Sequence, residues 1–371
     1  MLHKKVLKIG FASHGGIIMQ TSSRFISYAT LLAPALLAGG LTAQAQAPAD
    51  ISSIVSYSGP DRTDKLLAEA KKEGGATLYS SATVEDMATH LAAFEKKYGI
   101  KITLWRGDSE GIAQRAITEA RGGRFVMDLV ETSGGNLEAM HREGMLQSVN
   151  APIQADIIPQ GIPPHREYTA TRLQVQANSY NTNLIKKADL PKTWADLTDP
   201  KWKGKLGAES DDGDWFGTVI KSMKDPNGLD LFRKIASTNG ISMRKGHTLL
   251  ANLTASGEVP LSFAIYEYKV QQMKMAGAPI DFFYLDPLVV HPVGIGIAKR
   301  APHPHAAALF FDFILSDGQK IYLEQQSYPS NVKVKPLPQG IDLHFIDFSK
   351  ALDEQDSWQK TFKEIFSSKP R

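Results

Sequence analysis

Cysteine is absent from the 371 residues, and two things follow. No disulfide can staple the fold, and no lipobox exists to carry a lipid anchor, so stability must come from a core alone. A membrane-length apolar run is missing too. The best candidate, Ile26 to Leu41, is short and broken by Pro34 and Gly39-Gly40, which argues against a permanent span. No Lys/Arg block marks a nucleic-acid surface. No Gly-x-Ser-x-Gly elbow, phosphate loop, Gly-x-Gly-x-x-Gly fingerprint or zincin helix occurs, so no enzyme activity is expected. Repeats and low-complexity segments are also lacking.

What is present begins with an export signal. Arg24 supplies a basic start after Met19, Ile26 to Leu41 the apolar stretch, and Ala43-Gln44-Ala45 a small-x-small cleavage site. Cleavage is expected after Ala45, with translation starting at Met1 or Met19. Residues 1–45 hold four basic residues and no acidic one, so the remainder has 38 basic and 39 acidic residues, formally −1. The basic character of the chain therefore belongs mostly to its signal. The remaining 326 residues exceed the size at which single cores usually split, and two lobes are expected.

The segment 46–61 is rich in Pro, Ser and Gly and reads as a loose leader, with the whole leader taken as 46–69. A regular alternation follows. Ala76 to Ser80 reads as a strand, and Thr83 can cap a helix with Asp86 three residues on. Met87, Leu91, Phe94 and Tyr98 line one face of that helix, and Gly99 ends it. Lys101–Trp105 and Val126–Glu131 read as strands, Ser109–Arg121 and Leu137–Arg142 as helices. Strict alternation predicts a parallel, right-handed α/β sheet. Leu173–Ala177 is a further strand, and a second α/β unit starts after it.

The richest stretch is Thr248 to Tyr268. Leu249, Leu250 and Leu253 repeat at helical spacing, Gly257-Glu258-Val259-Pro260 breaks the helix, and Leu261 to Ile265 is a strand-type apolar run. Tyr266, Glu267 and Tyr268 then place hard oxygen donors at the strand's carboxyl end, where open α/β sheets hold ligands.

Six segments in order resemble the solute-binding proteins of bacterial ABC importers, most of all the periplasmic ferric-iron-binding branch (extracellular solute-binding protein family 1). They are Leu78-Tyr79, Tyr98-Gly99-Ile100-Lys101-Ile102, Tyr180-Asn181-Thr182-Asn183-Leu184, Pro200-Lys201-Trp202-Lys203-Gly204-Lys205, Ser256-Gly257-Glu258-Val259-Pro260 and Tyr328-Pro329. The resemblance implies a type II periplasmic binding fold: two parallel-type sheets with flanking helices, and two lobes closing on a hinge. Lobe 1 would comprise 70–176 and 288–330, lobe 2 would be 177–287, and 331–371 would be a helical tail packing on lobe 2. The crossovers would lie near Val175–Ser179 and Asp286–Pro292. It also implies a periplasmic location, a monomer, an inner-membrane permease with its ATPase as partners, a small solute or metal as ligand, and no resident cofactor. Fe3+ would enter only as transported ligand. A sensor subunit feeding a receptor kinase is the alternative role.

Ferric-binding relatives hold iron with a histidine, a glutamate and two adjacent tyrosines. The resemblance carries over in part: Glu131 stands at the glutamate position, Tyr268 at one tyrosine, Glu267 at the other with Tyr266 beside it, and Thr83 at the histidine. Glu131, Tyr268 and Tyr266 are the candidate metal ligands. Asp212 and His247 stand near anion-contact positions, and Trp215 or Tyr266 could stack on an organic cation. The gain of Glu267 and Asp212 beside Glu131, Asp211 and Asp214 favours a cationic ligand, Fe3+ or a thiamine- or polyamine-like solute; phosphorylated solutes are the other alternative. Asp211–Asp214 reads equally well as a helix-capping turn, and His247 as a surface cap.

Overall fold

A computed structural model describes residues 51–223, 226–336 and 342–367. The expected export segment and the tip of the Lys333–Pro338 loop lie outside the described residues. The first half runs α1 (Ser52–Val55), α2 (Arg62–Glu73), β1 (Gly75–Ser80), α3 (Val84–Tyr98), β2 (Lys101–Arg106), α4 (Ser109–Arg121), β3 (Leu129–Ser133), α5 (Gly134–Arg142), β4 (Leu146–Gln147) and the long β5 (Thr169–Asn181). Next come β6 (Leu206–Glu209), α6 (Gly213–Ser222), α7 (Gly228–Asn239), β7 (Ile241–Arg244), α8 (His247–Ser256), β8 (Leu261–Tyr266), α9 (Glu267–Met275) and β9 (Ile280–Phe283). The chain closes with β10 (Leu288–Ala298), α10 (Pro304–Leu315), α11 (Gly318–Glu324), β11 (Tyr328–Pro329), β12 (Leu343–Phe345) and α12 (Phe348–Phe366).

Local chemistry sets the helix ends. The Thr83 hydroxyl accepts from the Asp86 amide at 3.2 Å, and Asp108 accepts from Gly111 at 2.7 Å, so each satisfies an amide that the first turn leaves unpaired. Gly99 ends α3 in the left-handed conformation (φ 69°) that a side chain resists.

The strands form one hydrogen-bonded sheet in the order β2-β1-β3-β10-β5-β8-β6-β7. β1 pairs in parallel with β2 and β3, and β6 in parallel with β7 and β8. These are the parallel groups the alternation predicts. They are not two separate parallel sheets, however, because β5 and β10 join them through antiparallel pairing. β5 carries the chain out of the first group and β10 carries it back, so the two lie side by side in opposite directions.

Burial divides along the same strands. One core takes residues from Ile51 to Leu173 and again from Val290 to Tyr322. A second takes residues from Tyr180 to Val289 and from Ile346 to Phe366, and a smaller one lies under α8 and β8. The changeover falls within β5 and between Val289 and Val290 of β10.

The described part of the expected leader is docked, not loose. Ile51 and Val55 are buried, α1 packs on α10, and Arg62 pairs with Asp312 at 2.6 Å. The reason is α10 itself, whose residues Ala306 to Phe311 are all buried and need cover on every side. At the other end, α12 lays Phe362 and Phe366 on Phe216, with ring centroids 5.5 and 5.3 Å apart. Its first turn also touches α5: Phe348 fills the space a side chain at Gly134 would need, and Arg142 bonds Asp353 (2.5 Å) and the Ser349 carbonyl (2.8 Å).

Candidate functional site

A cavity of about 230 Å3 opens where the carboxyl ends of β1, β2, β3 and β8 meet, the position that strand direction predicts for a ligand. One wall carries Thr83, Asp86, Arg106 and Ser109; the other carries His247, Thr248, Tyr266 and Tyr268; Arg172, Gln174 and Tyr322 also line it. The amino ends of α3, α4 and α8 point their first turns at this space and bring partial positive charge to it.

Tyr266 owes its position to an irregularity in β8. The register against β5 slips between Ala177 and Ser179, and Ala264 sits at φ 56°, a left-handed conformation uncommon outside glycine. The slip resets the alternation of the last two residues. The Tyr266 ring lies 4.1 Å from the His247 ring and 6.2 Å from that of Tyr268, nearly parallel to the latter. Burial pushes the Tyr266 phenol well above its usual range, and the nearby Asp212 and Asp214 add to this. Burial also raises Tyr268, although Arg172 pulls it back.

Behind the tyrosines lies a carboxylate–histidine cluster. Glu209 accepts from the Gly246 and Asp211 amides at 2.8 and 2.6 Å, and the Asp212 carboxylate stands 3.3 Å from His247 Nε2. Burial pushes Asp212 up to about 6, with His247 opposing. Burial works against charge on His247, but Asp212 outweighs it and raises the imidazole above its usual value. Among the described residues, His247 Nδ1 and Asp212 Oδ2 are buried without a hydrogen-bond partner.

Thr83, His247, Tyr266 and Tyr268 of the expected set therefore share one cavity. The other four do not line it. Glu131 has no exposed surface: it pairs with Arg172 and accepts from Ser80 Oγ at 2.6 Å, because a strand-end carboxylate beside a buried guanidinium is consumed by it. Asp212 is buried against His247 and serves that side chain. Glu267 turns away and accepts from the Tyr284 hydroxyl at 2.6 Å. Trp215 is core, 5.9 Å from Trp194 and 6.5 Å from Phe216. Asp214 faces His291 at 3.6 Å; burial would raise it, but His291 and the Trp215 amide bring it below its usual value.

Of the carboxylates expected to make this a cation site, Glu131, Asp212 and Asp214 are thus taken by Arg172, His247 and His291, Glu267 bonds Tyr284, and Asp211 lies exposed near Lys245 and Lys363. Among the described residues only Asp86 lines the cavity as a carboxylate with no side-chain partner of its own, apart from the cap Asp108. Arg106 has only a 3.4 Å contact to the Ala82 carbonyl and no ion pair among the described residues. Sequence reasoning missed Arg106, Arg172 and Gln174. The signal for the last two was Arg172-Leu173-Gln174-Val175-Gln176, a polar row at period two within a strand.

The chain has relatives. It is 23% identical over 272 residues to iron uptake protein A1 of Synechocystis sp., covering 68% of this chain and 74% of that one. Its fold superposes on iron-bound HitA from Pseudomonas aeruginosa with a TM-score of 0.67 at 21% identity, covering 78% and 99% of the two chains. It superposes equally on the periplasmic binding protein AfuA from Actinobacillus pleuropneumoniae with fructose-6-phosphate bound: TM-score 0.67, 22% identity, 79% and 98% coverage. Residues 70–321 match the bacterial extracellular solute-binding proteins, and with a cleft between two cores at the strand ends, the chain belongs to that family.

Proposed function

We propose that this chain is the solute-capturing component of an ABC importer, working in the periplasm with a permease and its ATPase, and that its cleft takes ferric iron together with an anion. One observation carries the proposal: stacked phenols and an imidazole on one wall face helix amino ends and a free guanidinium on the other. Fe3+ is hard and favours phenolate and carboxylate oxygen, so Tyr266, Tyr268 and Asp86 are the metal donors of this reading. Burial keeps the phenols protonated until the ion supplies the charge that ionises them. The amides at Thr83 and Ser109, with Arg106, take the anion. The iron-related relatives support this reading.

A second reading, a phosphorylated solute without metal, is favoured by the scarcity of free carboxylate in the cleft. Titration with ferric citrate and with fructose 6-phosphate separates the two. Under the first reading, ferric citrate gives a visible phenolate-to-iron band that Tyr268→Phe weakens. Under the second, no band forms and the sugar phosphate binds. Arg106→Ala weakens either ligand by roughly 10- to 150-fold, about 1.5–3 kcal/mol. Intact mass of the exported protein should place the mature amino terminus at Gln46; retention of Ile26 to Leu41 would mean an anchor instead.

A further inference from the structure

A second cluster of ligating side chains lies apart from the cleft. Glu138 and His141 stand one turn apart on α5, on one face. His165 and Glu167 meet them from the loop before β5. Between those two, Arg166 is held at φ 56° by bonds to the Val149 carbonyl and Gln154, and this kink turns both neighbours toward α5. Glu138, His141 and His165 each offer a ligand atom within 4.8 Å of the others. His165 Nε2 to Glu138 Oε2 is 3.3 Å, close to the spacing of about 3.3 Å between two donors on one tetrahedral zinc ion.

Three further features suit a cation. The site holds two carboxylates, and the two imidazoles stack at 3.6 Å and 9°, so one ring turns when both aim a nitrogen at a single ion. Arg142 only grazes Glu138 at 3.4 Å and is engaged more closely by Asp353. His141 Nδ1 and Glu167 Oε2 lie 2.9 Å apart, yet both are buried without a formed hydrogen bond among the described residues. A carboxylate behind one ring nitrogen is the arrangement that orients a metal-ligating histidine through its other nitrogen. The cluster borders a cavity of about 670 Å3 between α5, the 159–168 loop and residues 345–350, which leaves an entry path and room for water as a further ligand.

We propose that Glu138, His141 and His165 form a site for a divalent transition ion of the zinc type, with Glu167 positioning His141. Two imidazoles and one carboxylate are a donor set such ions accept with an open fourth position. Binding through His165 Nε2 moves that ring's proton to Nδ1 and gives up the bond Nδ1 accepts from the Glu167 amide at 3.1 Å. The site is independent of what the cleft binds.

The test uses the full chain, purified without a histidine tag and stripped with chelator, titrated with Zn2+ alone by calorimetry and with Co2+ by visible spectroscopy. About one equivalent of Zn2+ should bind, and Co2+ should give the d–d bands of a low-coordinate site that Zn2+ abolishes. His141→Ala and His165→Ala should each weaken binding by at least the roughly 10- to 100-fold of a lost supporting contact, and Glu167→Gln by about tenfold. Tyr268→Phe should leave Zn2+ binding unchanged. Melting curves recorded in chelator identify any variant that fails to fold, and the wild-type cobalt spectrum stands without variants. No stoichiometric Zn2+ binding by the wild type, or binding that folded His141→Ala and His165→Ala retain in full, would overturn the proposal.

Discussion

Glu131 on β3 and Arg172 on β5 reach across the intervening β10 to form a buried ion pair, with Ile295 opposite one and Val293 opposite the other. A carboxylate that would be a metal ligand by resemblance is here a bolt between three strands. Removing it leaves an uncompensated guanidinium, so Glu131→Ala should lower stability by about 3–5 kcal/mol in denaturant unfolding. A loss under 1 kcal/mol would show that the pair is not structural.

Trp215 belongs to the core with Trp194 and Phe216, not to the cleft. Trp215→Ala should destabilise by about 3–5 kcal/mol. Ligand affinity at a temperature where the variant is folded should stay near wild type, as measured by calorimetry. A large affinity loss with little change in melting temperature would return this indole to the cleft.

His90 lies buried beneath the cleft between the Asp86 and Gly318 carbonyls, and burial pushes its imidazole down to about 4. Its unfolded value is near 6.5. Between those values the unfolded chain binds the extra proton, so stability falls as pH falls from about 6.5 to about 4. The loss is about 3 kcal/mol when complete. His90→Gln should flatten that part of the pH–stability profile; an unchanged acid slope would place its origin elsewhere.

The two cores share the strands β5 and β10 and are otherwise bridged by side-chain contacts such as those of α12 on α5 and Gln272 on the Gln325 carbonyl, so the shared strands are the hinge about which the cleft walls are expected to move as bodies. Small-angle scattering should show a smaller radius of gyration once a verified ligand is bound. An identical radius with the cleft saturated would mean that the cleft is preformed.

Much of the scaffold was legible because its signals are local. Thr83 and Gly99 bracket α3, and Gly257 to Pro260 separate α8 from β8. The direction of β10 was not legible, since it depends on how the chain returns to the first core. Four of the eight candidate site residues reach the cavity because a strand's carboxyl end is a place sequence can mark. Which carboxylates remain free is a different question, settled by partners distant in sequence: Arg172 for Glu131, His247 for Asp212, Tyr284 for Glu267. The slip at Ala264 that aims Tyr266 carries no glycine to announce it.

Helix α12 stands with its body on one core and its first turn pinned to α5 by Arg142 and Phe348. If the cleft narrows by rotation about β5 and β10, the helix either leaves that pin or slides across Phe216. The free energy of that rearrangement would enter the binding constant of every solute that selects the same closed state. On that closure the carboxyl-terminal segment is a common offset on affinity: altering it should rescale those dissociation constants together and leave the ranking of the ligands untouched.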